Sequence, residues 1–404
     1  MSEKLLPEQF DINSSFPTLR RRLRLGVVGG GRISRTQAMA ARLSDYWEVT
    51  AGVFSSDSSK SKEQAASWFI QPERTYDNFQ SFAEHEAQRS DGIDAVMVTT
   101  PNHLHFEVSQ AFINAGIAVL CDKPLTNEIA QAATLATLSR DSNVPFAVGY
   151  VMSCYPMVRQ ARELVFANEI GNINQVHVEF MQDWMVPEGA LDATHVQWRI
   201  DPKKSGKSSC TADIGTHAAH LASFVTGMPI TRLRADMHVC GAPQPLEDTV
   251  FMNTEFVHRV PGTLIATRLA SGNRGGLRLR VYGSKGGLEW NMEQPEQLKL
   301  CRYGSPDQIL TRGHGHGITT SVERLVRTGR GFSEGIIEAW ANLYTEFALK
   351  VAAHKDGIDV PNGWLMCPDV TDGATGVHFV EAAVQSHEKG GEWVSVQAVD
   401  SSRG

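Results

Sequence analysis

Residues 23–43 read LRLGVVGGGRISRTQAMAARL. A short apolar stretch, LRLGVV (23–28), runs into Gly29, Gly30 and Gly31. From Ser34 the spacing turns helical, with Ala38, Ala41 and the Leu43 region on one side. Such a glycine run is a linker, a tight turn, or a place where backbone must approach another molecule. Gly29 and Gly31 occupy the first two glycines of G-x-G-x-x-G, and Ser34 the third position. The first glycine turns the chain, the second keeps side chains away from a pyrophosphate, and the third needs only a small residue for helix packing. The pyrophosphate would rest on the helix N-terminus, so Gly29, Gly30, Gly31, Arg32 and Ile33 are candidate cofactor contacts.

The residues that follow support the third reading. WEVTAGVF (47–54), IDAVMVTT (93–100), IAVLC (117–121) and PFAVGY (145–150) are strand-like; Ser58–Phe69, HFEVSQAFINAG (105–116) and QAATLATLSR (131–140) are helical. Strands alternating with helices through residue 150 predict an α/β, doubly wound parallel sheet, which binds ligands at the carboxyl ends of its strands. Those ends add Ser55, Ser56, Asp57, Lys60, Thr100, Pro101, Asn102, His105, Asp122, Lys123 and Pro124 to the expected cofactor contacts. An acid after the second strand favours NAD and basic residues favour NADP. SSDSSK (55–60) offers Asp57 before Lys60, so NAD is expected, with NADP possible.

Beyond residue 150 the pattern changes. Residues 173–182, 231–239, 248–257, 262–271, 277–284 and 286–292 are strand-like, several alternating apolar and polar as a half-covered sheet does. Later helices carry the stripes Ile336, Trp340, Leu343, Phe347 and Val377, Val380, Val384, read as core. The expected layout is an arm at 1–22, a dinucleotide-binding domain at 23–150, a substrate-binding and oligomerisation α+β domain at 151–396, and a tail at 397–404. A chain of 404 residues suits two domains.

The totals narrow the class. A net charge of -7 argues against a nucleic-acid partner. Six cysteines, none in CxxC spacing, fit reduced thiols and not a zinc or disulfide framework. No stretch has the length of a membrane span. The arginines at 20–22 lack the apolar segment of an export signal, so a cytoplasmic location is expected.

Three further groups point to chemistry. Lys123 follows an apolar strand and precedes Pro124, which fixes the turn and aims the lysine over the strand ends. Asp213 and His217, in TADIGTHAAH, stand at i, i+4, with His220 three residues on; imidazole titrates near neutrality and a carboxylate can orient it. A zinc reading of these three residues is set aside, because Lys123 already supplies positive charge; no metal is expected. In RGHGHG (312–317), His314 and His316 read as a loop over the pocket.

The succession of the glycine turn, TTPNHLH (99–105), CDKPLT (121–126), VGYVMSCYPMVRQAREL (148–164) and GKSSCTADIGTH (206–217) resembles the Gfo/Idh/MocA family, from about residue 23 to about 393. The resemblance implies a Rossmann domain, then a large, open, mostly antiparallel sheet that serves as a homo-oligomer interface, in a dimer or tetramer. It implies that Lys123 bonds both the substrate hydroxyl and the cofactor ribose, and that Asp213 and His217 are the catalytic pair. Asp122 stands where the family usually has Glu. Val151 and Ser153 stand where relatives carry Asn and Arg, which leaves the substrate open. The expected substrate contacts are Lys123, Tyr150, Ser153, Asp183, Trp184, Trp198, Arg199, Asp213 and His217, with Arg199 and Lys207 able to hold an anionic group. The implied activity is NAD(P)-dependent oxidation of a secondary hydroxyl of a sugar, inositol or related carbohydrate. The alternatives are a redox-assisted glycoside hydrolase, with Tyr150, Tyr155 or His220 as a second acid/base, and a non-enzymatic dinucleotide sensor.

Overall fold

A computed structural model describes residues 16–313, 318–361 and 363–397. Most of the predicted arm and tail, and His314 and His316, lie outside them. The first half alternates as expected: β1 (Leu23–Val28), α1 (Arg32–Leu43), β2 (Trp47–Val53), α2 (Ser58–Ser67), α3 (Phe79–Gln88), β3 (Ala95–Val98), α4 (His105–Asn114), β4 (Ala118–Cys121), α5 (Ile129–Ser142) and β5 (Phe146–Val148). The strands form one parallel sheet in the order β2-β1-β3-β4-β5. β3 and β4 are buried along their whole length, which explains their unbroken apolar character.

The chain then runs through α6 (Pro156–Phe166), β6 (Ile173–Met181) and two short helices, α7 (Thr194–Gln197) and α8 (Pro202–Ser205). A π-turn (Thr211–Gly215) leads directly into α9 (Thr216–Thr226). Strands β7 (Ile230–His238), β8 (Thr249–Phe256), β9 (Pro261–Thr267), β10 (Gly276–Gly283), β11 (Gly286–Asn291), β12 (Gln297–Arg302) and β13 (Gln308–Thr311) follow. The chain ends in α10 (Thr320–Glu323), α11 (Ile336–Asp356), α12 (Val370–Glu388) and β14 (Val394–Ser395). Among the described residues the second sheet has the order β13-β12-β11-β10-β6-β9-β8-β7-β14. Every pairing in it is antiparallel except β6 with β9. The half-covered reading is visible in β8, whose residues alternate between buried and exposed.

Of the late helices, α11 reaches the first sheet and α12 spans both, lying on β7 and β14 of the second as well as on the first. α11 packs on the first: Trp47 donates its indole N–H to the Tyr344 carbonyl (2.8 Å) and stacks on Phe347, with centroids 5.5 Å apart. α12 packs against α5 and β5, and Gly373 lies so close to Leu125 and Val148 that a Cβ there would come within 2.9 Å of each. Trp340, Leu343 and Phe347 are core as expected. Ile336 is not: it opens α11 and is partly exposed. Leu43, at the last position of α1, is likewise exposed. The arginines at the N-terminus have partners of their own. Arg21 forks onto the buried Asp94 (2.7 and 2.9 Å), and Arg22 pairs with Asp45. No helix among the described residues is long and apolar enough to cross a membrane.

Candidate active site

The glycine turn sits at the carboxyl end of β1, and its three glycines serve different purposes. Gly29 has φ +128°, and a Cβ there would lie 2.7 Å from the Thr99 carbonyl oxygen. A Cβ on Gly30 would lie 2.2 Å from the Phe54 carbonyl oxygen, and Gln64 donates to the Gly30 carbonyl (2.9 Å). A Cβ on Gly31 would meet nothing within 4 Å. Gly31 is the N-cap of α1, and no side chain caps that helix. Ser34, at the third position, is buried and shares a 2.7 Å hydrogen bond with Thr99 Oγ1. An uncapped helix end facing open space suits a pyrophosphate, so these residues fit a dinucleotide. Arg32 and Ile33 are exposed beside it.

The other expected cofactor contacts divide. Ser55 and Ser56 follow β2, at its carboxyl end. Asp57 caps α2: one carboxylate oxygen accepts from the N–H groups of Ser59 (3.0 Å) and Lys60 (3.2 Å). Asn102 is buried, between half-buried Thr100 and Pro101 and the first turn of α4. His105 differs from the expectation. Its ring is buried, with Nδ1 2.7 Å from the Pro124 carbonyl and Nε2 2.9 Å from the Thr100 carbonyl. Burial lowers its affinity for a proton, and a neutral ring can donate to only one of these oxygens. His105 is thus a strut between two strand ends and not a cofactor ligand.

Lys123 leaves the end of β4, and its main-chain N–H donates to Asp122 Oδ1 (2.8 Å). Its ammonium donates to Asp213 Oδ1 (2.6 Å) and to the Asp213 carbonyl (2.8 Å). The other Asp213 oxygen accepts from Arg268 (2.9 Å) and lies 3.5 Å from Arg199. Burial opposes ionisation of Asp213, but Lys123, Arg199 and Arg268 outweigh it and hold the carboxyl well below the usual carboxylate range.

This corrects the reading of Asp213 as the partner that orients His217. The two residues do not share one regular α-helix. Asp213 lies in the π-turn, whose N-terminal amides are held by Glu247, accepting from Ser209 N–H (3.0 Å) and Thr211 N–H (2.8 Å). Three cations draw the carboxylate away from a neutral imidazole. His217 is buried, its Nδ1 has no hydrogen-bond partner, and its ring meets Tyr150 edge-on at 5.7 Å. Burial, reinforced by Lys123, lowers its proton affinity well below that of an ordinary histidine, so the ring is neutral at pH 7.

Four further expectations change. Ser153 is fully buried and donates to the Tyr150 carbonyl (3.0 Å), facing the core and not a substrate. Tyr150 is also fully buried; it stacks on His220 at 4.5 Å and forms a wall behind His217. His220 continues that stack to Phe224, and burial with nearby Arg159 and Arg162 pushes its pKa down to about 3. Lys207 does not join Arg199; it pairs with Glu381 at 2.9 and 3.0 Å. The remaining expected contacts gather beside Asp213. Arg199 stacks over Trp198 (4.3 Å), Arg268 lies 5.2 Å from the Trp184 ring, and Asp183 accepts from Gly272 N–H (3.0 Å). Arg268, Glu247 and Gln64 escaped the sequence reading. None of them belongs to a local motif: Arg268 stands alone at the end of an apolar strand, Glu247 precedes Asp248, and Gln64 lies in a polar helix. Among the described residues no cluster of three or more His, Cys, Asp or Glu is arranged to hold a metal.

A doubly wound sheet with an uncapped glycine turn, and a lysine from the same sheet held by a carboxylate from the turn before α9, defines a two-part dinucleotide-dependent enzyme. The sequence matches the oxidoreductase family model with an NAD-binding Rossmann fold over residues 23–150, and the GFO/IDH/MocA C-terminal domain model over residues 158–289. The chain belongs to the Gfo/Idh/MocA oxidoreductases, and its cofactor is NAD or NADP. It is 31% identical to the uncharacterized oxidoreductase YfiI of Bacillus subtilis, over 92% of this chain and 96% of that one. It is 25% identical to the levoglucosan dehydrogenase of Pseudarthrobacter phenanthrenivorans, over 93% of this chain and 99% of that one. An inositol dehydrogenase homologue from Azotobacter vinelandii, solved with NAD+, superposes with a TM-score of 0.88 at 32% identity, covering 95% of this chain and all of the other. The same homologue with NADH and myo-inositol gives 0.85 at 31% identity, over 93% and 98%.

Proposed function

We propose that the chain is an NAD(P)-dependent dehydrogenase that oxidises a secondary hydroxyl of a sugar, inositol or related carbohydrate. The supporting observation is the meeting of Lys123, from the carboxyl end of β4, with Asp213 of the π-turn and its neighbouring cations Arg199 and Arg268. Lys123, Arg199 and Arg268 converge on the Asp213 carboxylate, and the Lys123 ammonium is the cation at the end of β4. A substrate hydroxyl beside the Lys123 ammonium loses its proton more readily, because the developing alkoxide is stabilised by that charge. His217, neutral and buried, is the base that takes the proton. Trp184 and Trp198 offer flat faces for a sugar ring, and Asp183 lies beside them. Gly29, Gly30 and Gly31, the start of α1 at Arg32 and Ile33, Ser55, Ser56, Lys60, Thr100, Pro101, Asn102, Asp122 and Pro124 border the ground for the dinucleotide. When bound, NAD supplies the hydride acceptor. The relatives that act on levoglucosan or were solved with myo-inositol support a polyol-like substrate. A cytoplasmic homo-oligomer, dimer or tetramer, with the second sheet as interface completes the proposal.

The glycosidase alternative loses support. Of its candidate second acid/bases, Tyr150 and Tyr155 are buried in the core, where burial drives both phenols upward, and His220 is held neutral with its pKa pushed down to about 3. The test is turnover with NAD or NADP over a panel of sugars, inositols and aryl glycosides, following reduced cofactor and released aglycone together. Stoichiometric NADH without aglycone is expected. Aglycone release with only catalytic cofactor would overturn the proposal.

A further inference from the structure

Arg268 is fully buried just past the end of β9, and it is neither the cation nor the base of the proposed reaction. A guanidinium withdrawn from water is costly unless it is paired and hydrogen-bonded. Among the described residues Asp213 is the only carboxylate it pairs with. Apart from a 3.9 Å contact of Nη1 with Met185 Sδ, its hydrogen bonds converge on one short segment. Nη2 donates to Asp213 Oδ2 (2.9 Å) and to the Ser209 carbonyl (3.0 Å), and Nη1 donates to Ser209 Oγ (2.6 Å). Nε has no hydrogen-bond partner, and the Trp184 ring lies 5.2 Å from the guanidinium carbon. The arginine therefore grips the π-turn at two points, at its entrance and at the catalytic carboxylate.

We infer that Arg268 is a positioning residue: by fixing one oxygen of Asp213 it keeps the other oxygen and the Asp213 carbonyl on the Lys123 ammonium. The inference rests on the dehydrogenase reading for its kinetic consequence, but its geometric consequence is independent. With both oxygens occupied, one by Lys123 and one by Arg268, the carboxylate cannot rotate. Without Arg268, Oδ2 is left facing Arg199, now 3.5 Å away, and the carboxylate turns toward it, drawing Oδ1 from Lys123. The charged and titratable groups that face Asp213 are Lys123 and Asp122 from the end of β4, Arg199 after α7, Arg268 from β9, Cys210 before the π-turn and His217 on α9.

Three variants test this: Arg268→Gln, Arg268→Lys and Ser209→Ala. In a crystal structure of Arg268→Gln the Lys123–Asp213 bond is expected to be broken. In kinetics kcat is expected to fall about 100-fold, the scale of a small misplacement of a reacting group, with KM for NAD within about twofold of the parent. The acid limb of the kcat profile should move to higher pH, because Arg268 holds the Asp213 carboxyl down and its loss raises that group's proton affinity. Arg268→Lys should restore part of kcat and return the acid limb toward the parent. An intact Lys123–Asp213 bond and an unmoved acid limb in Arg268→Gln would overturn the inference. If that variant does not fold, Ser209→Ala, which removes only the Nη1 contact, must show a shift of the same sign, about threefold in kcat; parental behaviour there overturns the inference too. A parent enzyme that turns over no carbohydrate, with the variant's Lys123–Asp213 bond nonetheless broken, would refute the dehydrogenase reading and leave the positioning role standing.

Discussion

At the glycine turn three consecutive residues make a binding surface from backbone and empty space. At Lys123 the surface is assembled from side chains 90 and 55 positions apart, each held by an ion pair to the next. The first arrangement is local and tolerates only small residues. The second is a chain of charges, in which each member's state depends on the others. Cofactor recognition should therefore fail through sterics, one residue at a time, and chemistry should fail through charge and geometry, several residues together.

The largest effect tests the second half of that contrast. Lys123→Met should lower kcat by roughly 1,000-fold or more, the scale of losing a preorganised electrostatic group, while NAD still binds, as checked by quenching of tryptophan fluorescence. Loss of NAD binding and kcat together would merge the two regions into one. Next, His217→Gln should cost on the order of 100-fold or more in kcat. With His217 as the proposed base, oxidation would need the neutral ring, whose pKa lies well below the ordinary value, so the rate should stay level through pH 6.5–7.5 and fall only on further acidification. A parent profile with its midpoint near 6.5 or above would remove His217 from the role of base.

The first half of the contrast is tested by Gly31→Ala against Gly30→Ala. An added methyl at Gly31 meets no protein atom, so thermal stability should be unchanged while KM for NAD rises about tenfold. At Gly30 the methyl collides with the Phe54 carbonyl, and stability itself should drop. Equal NAD affinity in Gly31→Ala and the parent would mean that the open space has another use. Stability carries its own pH signature. His220 has a pKa of about 3 when folded and near 6.5 when unfolded, so its stabilising contribution is complete above pH 6.5 and is lost as pH falls toward 3. From pH 6.5 to 5 this amounts to about 2 kcal/mol. His220→Phe should narrow the Tm gap between pH 7 and pH 5, and an unchanged gap would refute the assignment. The smallest effect is expected from Asp57→Ala. It should cost about 1 kcal/mol, as the loss of a helix cap does, with KM for NAD within twofold; a tenfold rise would return Asp57 to the ribose.

The same contrast explains what the sequence disclosed. The glycine turn, the alternation through residue 150 and Lys123 were legible because each is a contiguous pattern with a local physical cause. Asp213 and His217 were legible as residues, through their spacing and the family resemblance, but not in their partnership. A π-turn and Arg268 decide where the carboxylate points, and neither has a local signature. Tyr150 and Ser153 were misplaced for a related reason. They follow a parallel strand, where ligands usually bind, yet α9 and α12 cover Tyr150, and α9 and α11 cover Ser153. β12, β13 and β14 escaped notice because they are short and lie at or near the edges of the second sheet.

The return of α11 and α12 to the first sheet bears on how the chain is made. The ribosome delivers β1 to β5 early, but Trp47 gains its Tyr344 and Phe347 neighbours, and Leu125 and Val148 their Gly373 neighbour, only when the last quarter of the chain has emerged. The nucleotide-binding half is thus the first to be synthesised and among the last to be sealed. A fragment cut near residue 150 would expose an apolar face in water, and the intrinsic fluorescence of Trp47 would report the moment at which the two ends of the polypeptide meet.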